Sequence, residues 1–198
     1  MRPWILAAAF SAAHSVCLVD WDPKLCHDGN LTLFPQTDPH SSPSCLDGSP
    51  YGVYFRANPA STKWTVFLEG GGWCYNEKQC LQRSRVSSAT ADAGQGSSTK
   101  WGPTSGCGCM NVKDDGSIDD TCNCLFFPYG DGASFSGFRA EPWPVPGGGN
   151  LTFRGLKNLD AGLHFAATHG LDQATDFVLS GGSAGGLSTC APLSPLSA

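Results

Sequence analysis

Ser183 sits in Gly181-Gly182-Ser183-Ala184-Gly185, directly after the apolar run Phe177-Val178-Leu179. A serine hydroxyl is a weak nucleophile at neutral pH. It needs a base, a bend that exposes it, and donors for the oxyanion it creates. Small residues on both sides of Ser183 permit a sharp strand-to-helix turn, so the pattern points to acyl transfer through a serine ester. Taken alone, such a pattern arises by chance in Gly- and Ser-rich chains. Here a second glycine turn, Gly70-Gly71-Gly72-Trp73, ends another apolar run about 110 residues upstream. Glycine lets backbone N–H groups approach a substrate with no Cβ in the way. The amide of Ala184 and those of this loop are the candidate oxyanion donors. Glu69 borders the loop and reads either as a brace for it or as a partner for a neighbouring base, not as a catalytic group.

The proton acceptor is the part that the sequence does not supply. Fifteen residues follow Ser183, and none is His, Asp or Glu. Hydrolases with this kind of turn place their acid and their histidine after the serine. All five histidines, His14, His27, His40, His164 and His169, precede it. His169 reads as a surface or capping residue near a helix end. A triad is defined by geometry and not by order, so His164 or His169 is the fallback base. Cys107-Gly108-Cys109 and Cys122-Asn123-Cys124 have single-residue spacings. Structural zinc sites more usually hold two to four residues between paired cysteines, so disulfides are the better reading and no metal is expected.

The elements that must position these residues follow from pattern. Gly52-Val53-Tyr54-Phe55-Arg56 and Lys63 to Glu69 read as strands, the second buried on both faces. Leu156, Leu159, Leu163 and Ala166 or Ala167 recur at helical spacing, with Gly170 as the stop. A strand over Phe177–Ser180 and a short helix over Ala184–Cys190 flank the serine. Pro192 and Pro195 oppose continuation of that helix. Residues 84–124 read as one long loop holding four cysteines. This order of strand, glycine loop, helix, strand and serine turn implies an α/β fold with a largely parallel sheet.

Composition sets the wider frame. The 198 residues carry 25 Gly and 14 Pro, with a net charge of −5. That describes a loop-rich chain, and without a Lys/Arg cluster it excludes a nucleic-acid-binding function. Residues 1–15, with Arg2 ahead of Ile5-Leu6-Ala7-Ala8-Ala9-Phe10, read as a secretory signal peptide too short to span a bilayer. No later run is long and apolar enough to cross a membrane stably. Ten cysteines and sequons at Asn30 and Asn150 suit a secreted, disulfide-bonded glycoprotein. Residues 16–50 form an extended segment tied down by Cys26 and Cys45. Residues 51–198 form the domain itself. Cys74 and Cys80 are close enough to bridge locally, but pairing cannot be deduced from sequence.

Three motifs in order, Leu68-Glu-Gly-Gly-Gly-Trp-Cys74, Asp131-Gly-Ala-Ser-Phe-Ser-Gly137 and Leu179-Ser-Gly-Gly-Ser-Ala-Gly-Gly186, resemble the pectin acetylesterase family, which includes the Notum carboxylesterases. The resemblance runs from about Tyr51 to Leu187. It implies a secreted, disulfide-bonded α/β-hydrolase that cleaves esters with a Ser-Asp-His triad and no cofactor. Carried over by position, Ser183 is the nucleophile, and Gly71, Gly72 and Ala184 give the oxyanion amides. Trp73 and Asp131 fall at the rim of the substrate site. For Asp131 a second reading stands beside this one, an Asp that organises its own turn. The family places its acid and histidine beyond residue 198. The 198 residues therefore read as the N-terminal part of the hydrolase. The substrate expected is an acetylated polysaccharide. Two alternatives are a lipid or protein ester and a catalytically inactive product.

Overall fold

The computed structural model describes residues 12–15, 32–35, 42–85, 96–99, 101, 111–112, 118–119, 121–146 and 148–190. Ten strands and three α-helices are assigned among them. In chain order the first four strands are β1 (Ala12–Ser15), β2 (Thr32–Pro35), β3 (Gly52–Arg56) and β4 (Lys63–Leu68). Helix α1 (Glu77–Ser84) follows, then the short pair β5 (Asn111–Val112) and β6 (Ile118–Asp119), then β7 (Asn123–Phe127). A second short pair, β8 (Trp143–Pro144) and β9 (Asn150–Leu151), leads into α2 (Gly155–Thr168). Strand β10 (Asp176–Gly181) and α3 (Ser183–Cys190) complete the order.

Six strands form one sheet in the order β1-β10-β4-β7-β3-β2. The pairs β1/β10, β10/β4 and β4/β7 are parallel, whereas β7/β3 and β3/β2 are antiparallel. Leu179 lies opposite Val66, and Val66 opposite Leu125. This is the α/β-hydrolase-like arrangement that the element order implies. Strand β1 falls within the segment read above as a signal peptide.

Period-two alternation sorts the strand side chains onto two apolar faces. One face carries Val53, Phe55, Trp64, Val66, Leu68, Leu125 and Phe127, and packs with Leu159 and Ala166 of α2. The other carries Tyr54, Phe67 and Phe126 with Cys122 and Cys124. Phe67 stacks on Phe126 at 5.7 Å between ring centroids. Strands buried on both faces lose their polar–apolar alternation, which is why β4 reads as a nearly continuous apolar run.

Two elements depart from the sequence reading. The loop over 84–124 gives way to β7, a central strand beginning at Asn123. Helix α1 also lies where no element is expected. Its start is marked by Asn76, whose Oδ1 accepts the Gln79 amide at 2.9 Å, a standard N-cap bond. Of the two cysteines expected to tie down the segment before β3, Cys26 lies outside the described residues and Cys45 is a buried free thiol, which corrects that reading for Cys45. Buried Asn158 of α2 accepts the Ser44 amide at 2.8 Å and donates to the Ser44 carbonyl at 2.9 Å.

Candidate active site

Strand β10 ends at Gly181, and the chain turns at Gly182 into α3. Ser183 is exposed and adopts φ +47, a left-handed conformation that costs a non-glycine residue about 1 kcal/mol or more. Two bonds lock the bend. Gly182 N donates to the Leu68 carbonyl at 3.1 Å, and Gly185 N donates to the Gly182 carbonyl at 2.8 Å. The elbow thus hangs from the end of β4, immediately beside the glycine loop.

Close backbone approach dictates the glycines here. A Cβ on Gly185 would lie 2.1 Å from the Leu68 oxygen. One on Gly70 would lie 2.2 Å from the Gly182 oxygen, 2.9 Å from Ser183 Cβ and 3.0 Å from the Ala184 nitrogen. Gly70 is therefore the glycine that presses against the elbow and leaves the space before the Ala184 amide open. The motif reading singles out Gly71 and Gly72 but not Gly70.

The rest of the glycine loop is held from behind. Arg83 of α1 donates to the Gly71 carbonyl. The Tyr129 hydroxyl donates to the Gly72 carbonyl at 2.6 Å. Glu69 Oε2 accepts the Tyr129 amide at 2.7 Å, which makes Glu69 the brace expected from its position. Burial raises the Glu69 carboxyl above its ordinary pKa, partly opposed by that amide. The Cys74 amide reaches the Gly132 carbonyl at 3.1 Å, and Cys74 is bonded to Cys80 of α1. By contrast, the amides of Gly71, Gly72, Trp73 and Ala184 donate to no acceptor among the described residues. Gly71 and Gly72 are half-buried and Trp73 is exposed, so their amides stand open to an incoming acceptor, whereas Ala184 is buried.

The turn after β7 closes the site's third side. Ser134 and Phe135 have φ +54 and +55. Ser134 Oγ accepts the Trp73 indole N–H at 2.8 Å, and its carbonyl accepts the Ser188 hydroxyl of α3. Trp73 itself remains 45% exposed, and Leu187, one helical turn past Ser183, is exposed as well. Trp73 thus stands at an open edge of the site. Asp131 does not: it is 1% exposed, and its Oδ2 is turned onto Gly155, where a Cβ would lie 1.9 Å away. That placement corrects the rim reading. The amides of Ala133, Phe135 and Gly137 lie close enough to lower its pKa, yet neither carboxylate oxygen completes a hydrogen bond. Desolvation outweighs them and raises the carboxyl to about 6.

His164 and His169 lie elsewhere, and His27 and His40 lie outside the described residues. Helix α2 runs back across the sheet, so its C-terminal end lies near the start of β10, at the far end from Ser183. His169 caps that end, with Nδ1 2.7 Å from the Phe165 carbonyl and its ring 4.0 Å from that of Phe165. This is the capping role expected of it. His164 is exposed on the same helix. Neither His164 nor His169 is hydrogen-bonded to Ser183. Cys107 and Cys109 lie outside the described residues. Cys122 and Cys124 are buried and remain thiols, which corrects the disulfide reading for this pair, and no cluster of metal-ligating side chains occurs among the described residues. An open hollow of about 550 Å³ lies between α1 and Val145-Pro146 and excludes Ser183 and the glycine loop.

A serine elbow at the end of a parallel strand, seated against a glycine loop from the neighbouring strand, places this fold among the α/β-hydrolase-like proteins. Within that class, the chain belongs to the pectinacetylesterase family, whose model matches residues 26–197. It is 30% identical over 165 residues to palmitoleoyl-protein carboxylesterase notum1a of Danio rerio, covering 82% of this chain and 30% of that protein. It is 33% identical over 147 residues to pectin acetylesterase 5 of Arabidopsis thaliana, covering 73% of this chain and 33% of that protein. The inactive palmitoleoyl-protein carboxylesterase notum1b of Danio rerio is 32% identical over 100 residues, which are 50% of this chain and 68% of that protein. The chain spans about a third of the length of the first two relatives. Among the described residues, no helix is long and apolar enough to cross a membrane.

Proposed function

We propose that Ser183 is the nucleophile of a secreted carboxylic-ester hydrolase acting on acetylated polysaccharide. Ser183 Oγ attacks the ester carbonyl carbon and forms a C–O bond, while the carbonyl π electrons move onto oxygen. The amides of Gly71, Gly72 and Ala184 receive that oxyanion. Collapse expels the sugar alkoxide, which takes up a proton, and leaves an acetyl-serine. Water then attacks the acetyl carbon, releasing acetate and restoring the serine. The proton leaving Ser183 needs a base, and in this family's pattern that base is a histidine placed after the serine. The observation that carries the reading is the exposed, left-handed Ser183 beside amides that have no acceptor of their own.

The acetyl assignment is favoured by the family match and by pectin acetylesterase 5. A longer acyl group is the alternative, suggested by notum1a and by the exposed Trp73 and Leu187. A non-catalytic role is the second reading. The distance of His169, at the far end of α2, from Ser183 and the inactive notum1b relative favour it. One experiment separates the two: a fluorophosphonate probe and p-nitrophenyl acetate applied to the purified protein and to Ser183→Ala. Covalent labelling and turnover that vanish in the variant support the hydrolase, with a loss on the order of 10⁶-fold in rate for a complete triad. A folded wild-type protein that neither labels nor turns over supports the non-catalytic reading.

A further inference from the structure

We propose that Tyr129 is a positioning residue for the oxyanion site: its hydroxyl holds the Gly72 carbonyl so that the Trp73 amide, across the same peptide, faces the reacting ester. The inference rests on the reading of Ser183 as nucleophile.

The argument begins with the peptide plane. In a trans peptide the C=O of one residue and the N–H of the next point in opposite directions. Tyr129 Oη lies 2.6 Å from the Gly72 oxygen, so the Trp73 N–H is turned away from the ring. That N–H donates to no other described residue.

The direction of the bond is fixed as well. A phenol has one proton to give. The Ser134 amide donates into the Tyr129 oxygen at 3.0 Å, leaving the phenolic proton for the Gly72 carbonyl. Ser134 can aim its amide there because it sits at φ +54 in the strained turn. Burial keeps the phenol protonated, with its pKa raised to about 12. The ring is itself immobilised. It is buried, packs edge-on against Phe135 at 5.6 Å, and has its own amide tied to Glu69. Arg83 treats the preceding peptide in the same way through the Gly71 carbonyl. The two side chains together turn successive amides outward from one side of the loop. A 1 Å misplacement of such donors commonly costs about 100-fold in rate.

Tyr129→Phe removes the hydroxyl and keeps the packing. The expected result is a roughly 10- to 100-fold slower reaction of Ser183 with fluorophosphonate. For p-nitrophenyl acetate, kcat should fall with KM unchanged, and the cooperative melt should be retained. Ser134→Ala keeps the backbone amide that orients the phenol, so its effect on labelling should be smaller. Wild-type labelling and kcat in a folded Tyr129→Phe would overturn the proposal, as would a loss confined to KM. Should that variant not fold, 3,5-difluorotyrosine in place of Tyr129 retains the donor at low pH. Labelling should then decline as the fluorophenol ionises, and a pH profile like that of the wild type overturns the role. If the wild-type protein itself fails to label, the hydrolase reading fails separately. The positioning role is then read from the Trp73 amide resonance, which responds to hydrogen bonding at the Gly72 carbonyl. A shift on Tyr129→Phe supports the role, and an unmoved resonance overturns it.

Discussion

The two ends of the parallel strands are built on different terms. At the end where β4, β7 and β10 start, polar groups are paired through relaxed backbone. Buried Asn123 accepts the Asn58 amide at 2.7 Å and donates to the Ser61 and Lys63 carbonyls at 2.7 and 3.3 Å. Thr62 and Thr175 share a hydroxyl contact at 2.8 Å. At the end where the same strands finish, Ser134, Phe135 and Ser183 are held at positive φ, four amides donate to no acceptor among the described residues, and Asp131 is buried without a completed hydrogen bond to any of them. Local consistency is what makes a chain fold, and departures from it concentrate where function is selected. The contrast therefore separates the two ends of the sheet independently of any motif, and the proposed site lies at the strained one.

Four measurements would break or sharpen that contrast. The largest effect is expected from Gly70→Ala. Its methyl would meet the Gly182 oxygen at 2.2 Å, and overpacking of this kind costs about 3 kcal/mol. Fluorophosphonate labelling of Ser183 should disappear, and a labelled variant with an unchanged melt would mean that the elbow is not seated on this loop.

Next comes Asp131. Its folded-state pKa of about 6 lies above the ordinary 3.8, so the folded chain holds a proton that the unfolded chain has released between roughly pH 4 and 6. Stability should accordingly fall as pH rises through that window and level off above it, by up to about 3 kcal/mol. Urea midpoints at pH 4, 5, 6 and 7 should show that fall in the wild type and much less of it in Asp131→Asn. Parallel curves would place the carboxylate in a better-solvated site.

Asn123→Ala tests the opposite end. Leaving the Asn58 amide and two carbonyls without their partner should cost about 2 kcal/mol. The labelling rate at Ser183 should stay at the wild-type level, and a matching loss of reactivity would show the two ends to be coupled. The smallest effect is expected from Ser183→Gly. Relief of the left-handed strain should stabilise the fold by about 1 kcal/mol while labelling is abolished. A lower melting temperature would mean that the serine side chain contributes packing that outweighs its backbone cost.

How much of this was legible in the residues depends on what each part relies on. The serine elbow, the glycine loop, β4 and α2 rest on local patterns: apolar runs, glycine placement and helical spacing. They emerge where those patterns lie. Strand β7 is hidden because its apolar core, Leu125-Phe126-Phe127, is short and sits between paired cysteines and Pro128. Its place at the sheet's centre depends on pairing with β3 and β4. Helix α1 has a readable N-cap at Asn76, but little of it is buried apart from Cys80 and Ser84, so it carries almost no apolar periodicity. Tyr129, Arg83 and Ser134 are hardest to foresee. Each acts through a backbone group distant in sequence, and nothing in a Pro-Tyr-Gly turn announces that a phenol will orient a peptide 57 positions away.

The Cys74–Cys80 bridge has a meaning for how the glycine loop and α1 stay together. It ties the end of the glycine loop to the helix that carries Arg83, closing a loop of six positions. A cross-link of that size restricts the open chain by about 2 kcal/mol. The bridge therefore shortens the path between the Gly71 peptide and the helix whose Arg83 holds it. Without it the helix keeps its packing on Leu46 and Leu151 and the bond from the Gly96 amide to the Arg83 carbonyl, but loses its covalent link to the loop. The bridge thus acts as a covalent stop on how far the loop's end and the helix can drift apart, set beside the non-covalent contacts that already join them.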